Sequence, residues 1–237
     1  MNKYGWADAA VNVMPYIVRI ELPDNYGSGF VINYREDGPK KRVVVIATAF
    51  HVVEHAEKWG ELIRVIRGDT VVVLAPSNRR IFAFEEHDLA LLMFDADGLK
   101  LPAKIMQTGS TEEVLPPGFP VGWCGFPNIA DQYECFFAGH ISTALPTKGD
   151  YLVDGVAIHG ISGGPAFIHV DNKITLIGVV SAYYPNRATG ESLPGMSLIR
   201  SINPFMEFFN KENKECEKRI QQARRKKGHK IKPKDVK

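Results

Sequence analysis

From residue 13 onward the chain is built of short apolar runs cut by turn residues, the rhythm of an antiparallel β protein. Tyr16-Ile17-Val18-Arg19-Ile20-Glu21-Leu22 roughly alternates, and Gly27-Ser28-Gly29-Phe30-Val31-Ile32 resumes after Pro23-Asp24-Asn25, so the two predict a hairpin. A charged loop over 34–41 carries the turn signal Gly38-Pro39. The β-branched run at 42–50 predicts a strand that closes on His51. Residues 52–59 have helix-forming character until Gly60 stops them, which puts His51 at a strand-to-helix corner. Further strands are expected at 62–67, 70–74 and 81–84, and Glu85-Glu86-His87-Asp88 then gives way to the apolar run 89–94, with Asp88 at its mouth.

Residues 97–120 hold few periodic signals but four prolines (Pro102, Pro116, Pro117, Pro120), which marks a division between two halves. The second half repeats the rhythm at 121–125, 133–138, 151–156, 166–170 and 174–182. Short strands with turn signals throughout favour a barrel or sandwich over alternating βαβ units. The end differs. Asn203-Pro204 reads as an N-cap with proline at the first helical position, and Phe205, Phe208, Phe209, Cys216, Ile220 and Ala223 keep helical spacing. The expected organisation is an N-terminal segment 1–12, a first β unit 13–97, a linker 98–120, a second β unit 121–202, a helix 203–225 with its aromatic start docked on the body, and a disordered basic tail 226–237.

Composition narrows the class. A hydrophobic content of 45% in 237 residues is enough for one large core or two modest ones. No apolar run reaches the length of a membrane span, and 1–15 does not read as a signal peptide. Three cysteines (Cys124, Cys135, Cys216) are too few for a disulfide framework, so a reducing, cytoplasmic setting is expected. The net charge of +2 conceals an asymmetry: residues 211–237 carry 12 of the 29 Lys/Arg against 4 of the 27 Asp/Glu. A basic tail on an acidic body fits an acidic partner, nucleic acid or an anionic lipid surface, or else is simply a solvated end.

The candidate chemistry centres on Gly160-Ile161-Ser162-Gly163-Gly164-Pro165. A serine there sits on a turn glycine-rich enough to expose its hydroxyl, and the Gly160 and Ser162 amides can converge on one point. A serine nucleophile also needs a base. The chain supplies His51 after Thr48-Ala49-Phe50 and Asp88 before Leu89-Ala90-Leu91-Leu92, in the order His, Asp, Ser. These three blocks resemble the signature blocks of trypsin-like serine proteases over about residues 13–209. The resemblance is nearest to the disulfide-free bacterial branch with the HtrA proteases, where a strand like Gly27-Ser28-Gly29-Phe30 recurs, and no PDZ-like module is visible.

The resemblance implies an all-β fold of two six-stranded antiparallel β-barrels with a C-terminal α-helix, acting on a polypeptide substrate. His51 would be the general base and acid, Asp88 its orienter, Ser162 the nucleophile, and the amides of Gly160 and Ser162 the oxyanion hole. It also implies a substrate pocket lined by Val156 to His159, Ser181-Ala182-Tyr183 and Pro194-Gly195-Met196. No acid stands where a basic preference would be read unless a two-residue shift brings in Asp154, and Tyr183 replaces an expected glycine, so small or apolar side chains are expected. Ile161 occupies the place where animal members keep an acid to pair with a new N-terminus, so activation by that ion pair is not expected.

Three rivals share these letters. Gly160-x-Ser162-x-Gly164 also matches a nucleophile elbow, but of the downstream histidines His169 is seven residues away and His229 lies in the basic tail, and Pro165 onward reads as a strand where the elbow needs a helix. His51-Val52-Val53-Glu54-His55 fits an H-x-x-E-H zinc peptidase, which leaves Asp88 and Ser162 unexplained. A protease-like module that binds peptide without turnover is the third. Apart from that zinc pattern there is no metal-ligand set or phosphate loop, so no cofactor is expected.

Overall fold

The β-branched run that ends near His51 lies in the middle of a sheet. The computed structural model describes residues 5–36, 42–96, 98–109, 114–146, 148–156, 158–185 and 192–228, with backbone alone at 182–185, 192–194 and 220–228. In chain order the elements are α1 (Gly5–Val13), β1 (Ile17–Glu21), β2 (Tyr26–Glu36), β3 (Arg42–Ala49), α2 (Phe50–Trp59), β4 (Ile63–Arg67), β5 (Thr70–Leu74), β6 (Arg79–Phe84) and β7 (Leu89–Asp95). There follow β8 (Pro120–Gly125), β9 (Cys135–Leu145), β10 (Asp150–Asp154), β11 (Pro165–Val170), β12 (Lys173–Pro185), β13 (Ser192–Ser201) and α3 (Asn203–Gly228).

The double-barrel architecture expected from the resemblance is present, with a difference in the first half. There seven strands, not six, form an antiparallel sheet in the order β5-β4-β1-β2-β3-β7-β6, which curls without closing. The second half closes into a six-stranded barrel, β10-β13-β12-β11-β8-β9. β3 pairs with β2 on one side and β7 on the other, with Thr48 opposite Ala90 and Ala49 opposite Leu89. Strands flanked on both edges and packed on both faces favour β-branched residues, which the sequence Arg42-Val43-Val44-Val45-Ile46 supplies.

Each half has its own core. Val18, Ile20, Ile46, Leu92 and the inner face of α2 (Val52, Val53, Ala56) fill the first. Val121, Trp123, Val153, Val180 and Ile199 fill the second, and Ile161 of the serine turn belongs to it. Burying such side chains contributes roughly 1.5–3 kcal/mol apiece. The N-terminal segment, expected over 1–12 with no element assigned to it, holds most of α1, whose Ala9, Ala10 and Val13 are buried and whose Trp6 lies against Phe136 and Phe167. Residues up to Ile202 form one unit. The helix α3, considered by itself, spans the expected range and runs three residues further, while 229–237 of the expected tail lie outside the described residues.

Candidate active site

His51 is not the last residue of a strand but the second residue of α2. No side chain of the preceding Ala49 caps that helix. The cap comes from Asp88: its carbonyl accepts the Phe50 N–H at 3.1 Å and its Oδ1 accepts the His51 N–H at 3.0 Å. This satisfies two of the orphan amides of the helix and places a carboxylate at its positive end. To do so Asp88 takes φ +51°, a left-handed backbone that aspartate adopts more readily than most residues. The preceding 3₁₀ turn, Glu85–His87, delivers it there through Asp88 N–H to Glu85 O at 3.0 Å.

The same carboxylate faces the imidazole. His51 Nδ1 lies 2.9 Å from Asp88 Oδ2 and 3.0 Å from Oδ1. Burial, the largest single influence on Asp88, pushes its pKa up. The hydrogen bond and charge of His51, the Ser181 hydroxyl and the His51 amide together outweigh it and hold the carboxyl below its ordinary value. Asp88 is therefore ionised at neutral pH.

The turn around Ser162 is fixed by its backbone. Ile161 N–H donates to Ile158 O at 3.1 Å, and Gly160 at φ +93° takes the third position of this turn, where a type II turn requires positive φ. A Cβ on Gly160 would collide with the Phe126 carbonyl. In a trans peptide the carbonyl and the amide point in opposite directions, so fastening one aims the other. His159 O is held by Asn128 N–H at 2.8 Å, which aims the Gly160 amide the other way, and Ile161 O is held by Gly164 N–H at 2.9 Å, which does the same for the Ser162 amide. Among the described residues neither amide has an acceptor.

Ser181 joins the corner to the turn. Its hydroxyl donates to Asp88 Oδ2, and its carbonyl accepts the Ser162 hydroxyl at 2.8 Å. Ser162 thus gives its proton to Ser181 and not to His51 in this conformation.

A profile of the trypsin-like peptidase domain matches residues 27–179, a span that contains His51, Asp88 and Ser162. The chain belongs to the trypsin-like peptidase family. It is a serine protease by family, and no curated protein matches it in sequence. Several solved structures share its fold. Rv3671c from M. tuberculosis H37Rv, in an inactive form, is 18% identical over 85% of this chain and 88% of that chain, with a TM-score of 0.58. Deg5 is 18% identical over 85% and 90%, with a TM-score of 0.60. The serine endoprotease from Yersinia pestis is 19% identical over 87% of this chain and 65% of that chain, with a TM-score of 0.62.

For a trypsin-like peptidase the remaining expected residues fall as follows. Val156 is exposed beyond the end of β10, His159 is exposed on the turn, and Gly195 takes φ +81° in β13. The side chains of Ala182, Tyr183 and Pro194 lie outside the described residues, as does Ala157. Asp154, the one acid within reach of the expected pocket by a register shift, accepts the His140 amide and sits 3.5 Å from the His140 ring. Ser181 is 1% exposed and spends its hydroxyl on Asp88, a link that spacing alone could not reveal. No helix among the described residues is long and apolar enough to cross a membrane.

Proposed function

We propose that this trypsin-like peptidase is an endopeptidase that hydrolyses peptide bonds through an acyl-enzyme on Ser162. Ser162 Oγ attacks the substrate carbonyl carbon and its proton passes to His51 Nε2, the ring nitrogen turned away from Asp88. The oxyanion so formed takes hydrogen bonds from the Gly160 and Ser162 amides. When the tetrahedral adduct collapses, the C–N bond breaks and His51 returns the proton to the leaving amine. Water, deprotonated by His51, then attacks the acyl group and Ser162 recovers its proton. Asp88 keeps the Nδ1–H tautomer and stabilises the imidazolium. The observation that carries this reading is the pair of amides, without an acceptor among the described residues, at a serine linked through Ser181 to the Asp88 carboxylate that faces the His51 ring.

The test is proteolysis of labelled casein. Activity that is abolished by a fluorophosphonate and by Ser162→Ala, and unaffected by a chelator, is expected; loss with the chelator alone would favour the H-x-x-E-H reading. Against that reading stand Glu54, which pairs with Lys58 at 2.5 Å, and the lack of any cluster of three metal-ligand side chains among the described residues. One observation favours a second reading, a silent peptide-binding module: the Ser162 hydroxyl donates to Ser181 O. Turnover requires a rotation about its Cα–Cβ bond that turns it to the imidazole, so cleavage of casein by the wild type decides between the two.

Small or apolar side chains are the proposed preference at the cleaved bond, because Asp154 is engaged with His140. A peptide library yielding a strong Arg/Lys preference would refute this. The basic end would add salt-dependent attraction to an acidic partner, nucleic acid or anionic lipid. Removing residues 214–237 is expected to abolish that binding and leave cleavage of casein intact.

A further inference from the structure

We propose that Ser28, on β2 of the first sheet, is a positioning residue that locks the Ser162 turn of the second barrel in its oxyanion-binding shape. This rests on the serine-protease reading above. Ser28 is 0% exposed, and every polar group it has is committed. Its N–H donates to Ser162 O at 2.8 Å. Its Oγ accepts the Phe126 N–H at 2.9 Å and donates to Gly160 O at 2.7 Å, and its carbonyl accepts the Thr48 hydroxyl at 2.7 Å.

The direction of these bonds is forced. Phe126 N–H can only donate, so the single hydroxyl proton of Ser28 is left for Gly160 O. That carbonyl belongs to the peptide lying between the two that carry the Gly160 and Ser162 amides. Gly160 at φ +93° has no side chain to resist a rotation of that peptide. A rotation by roughly half a turn would carry the neighbouring donors out of line. The Ile161 N–H to Ile158 O bond, at 3.1 Å, holds the amide side of that peptide, which leaves its carbonyl side to an external lock, and the residue before the nucleophile cannot supply a charged one. Ile161 is apolar, 0% exposed, and packed in the core with Trp123 and Val180. It anchors the turn against the barrel but makes no directional bond through its side chain. Ser28 does, from the opposite half of the molecule.

The surroundings are shaped to this residue. A Cβ on Gly125 would stand 2.6 Å from Ser28 Oγ, and one on Gly163 would collide with Ser28 O and Thr48 Oγ1. Gly163 also has φ +90°, so no larger residue suits it on either ground. The Gly27-Ser28-Gly29 stretch is thus the counterpart of the serine turn across the interface of the two halves.

The test uses the full chain and a peptide substrate chosen from those the wild type cleaves. For folded Ser28→Ala, kcat is expected to fall about 10- to 100-fold with KM within about threefold. A peptide boronic acid, which mimics the tetrahedral adduct, weakens by the same factor, while a product-like peptide binds as before. Ser28→Cys, of similar size but a weaker donor, falls between the two. A purely structural role would lower Tm without this split between kcat and KM. Folded Ser28→Ala with kcat within about twofold of wild type overturns the proposal, as does a rise in KM alone. Should Ser28→Ala not fold, Ser28→Cys and Thr48→Val are judged by the same criteria. A wild type that neither cleaves nor takes up a fluorophosphonate sinks the serine-protease reading itself; an active wild type with an equally active Ser28→Ala sinks only this one.

Discussion

The His51–Asp88 corner and the Ser162 turn are held by opposite means. At the corner, side chains do the holding: one carboxylate caps α2, faces the imidazole and receives the Ser181 hydroxyl. At the turn, it is the backbone that is held, with four successive carbonyls, from His159 to Ser162, fastened by three amides and the Ser28 hydroxyl. The difference teaches where each tolerates change. The corner should be sensitive to charge at constant shape, and the turn to a single added carbon.

The largest effects test whether the two regions form one site at all. Ser162→Ala and His51→Ala are each expected to lower kcat/KM by about 10⁴-fold or more with the circular dichroism unchanged, and combining them should cost little more than either alone. Additive losses would mean that corner and turn act separately.

Asp88→Asn keeps the shape of the corner and removes its charge. A fall in kcat of about 10³- to 10⁴-fold is expected in steady-state assays. Its stability should carry a pH signature. The Asp88 pKa is lowered on folding, so the ionised carboxylate stabilises the fold fully above the ordinary carboxylate pKa, and this is lost as pH falls through the lowered value. Urea unfolding from about pH 7 down to about pH 3 should find the advantage of wild type over Asp88→Asn shrinking only at the acid end. An advantage that grows on acidification would reverse the sign assigned here.

At the turn, Gly160→Ala is expected to lower kcat by about 10²- to 10³-fold, because its Cβ would strike the Phe126 carbonyl and the amide must move. A near-normal kcat would show that this donor is not used. The smallest effect concerns the floor beneath the turn. Burial first, then Glu134 and Cys135, push the Cys124 thiol up to about 12, so a thiol reagent at neutral pH should modify the exposed Cys216 and leave Cys124 untouched until the chain unfolds. Rapid modification of Cys124 by mass spectrometry would mean that β8 opens in the native state.

The same contrast explains what the sequence made legible. The His51–Asp88 pairing and the glycine-rich turn at Ser162 were readable because they are residue types at fixed places in short blocks, and the β-branched runs gave most of the strands. The start of β13 was hidden by Pro194 and Gly195, which punctuate a strand whose backbone still pairs with β10 and β12. The helix α1 was hidden because Asp8, Asn12 and Pro15 interrupt an apolar pattern that tertiary burial of Ala9, Ala10 and Val13 completes. His51 moved into α2 because its cap comes from Asp88, 37 residues away, and not from the residue before it. The bonds of Ser181, expected only as a pocket residue, and of Ser28 were beyond reach for the same reason: each is made to partners far along the chain. Only the glycines around Ser28 hinted that backbone comes close there.

The central claim is that Ser162 is acylated with His51 as its base. Intact mass spectrometry after exposure to a fluorophosphonate tests it most directly. The account predicts one adduct, located on Ser162, whose rate of formation falls by orders of magnitude in His51→Ala. No adduct on the wild type, or an adduct that forms as fast without His51, would contradict it.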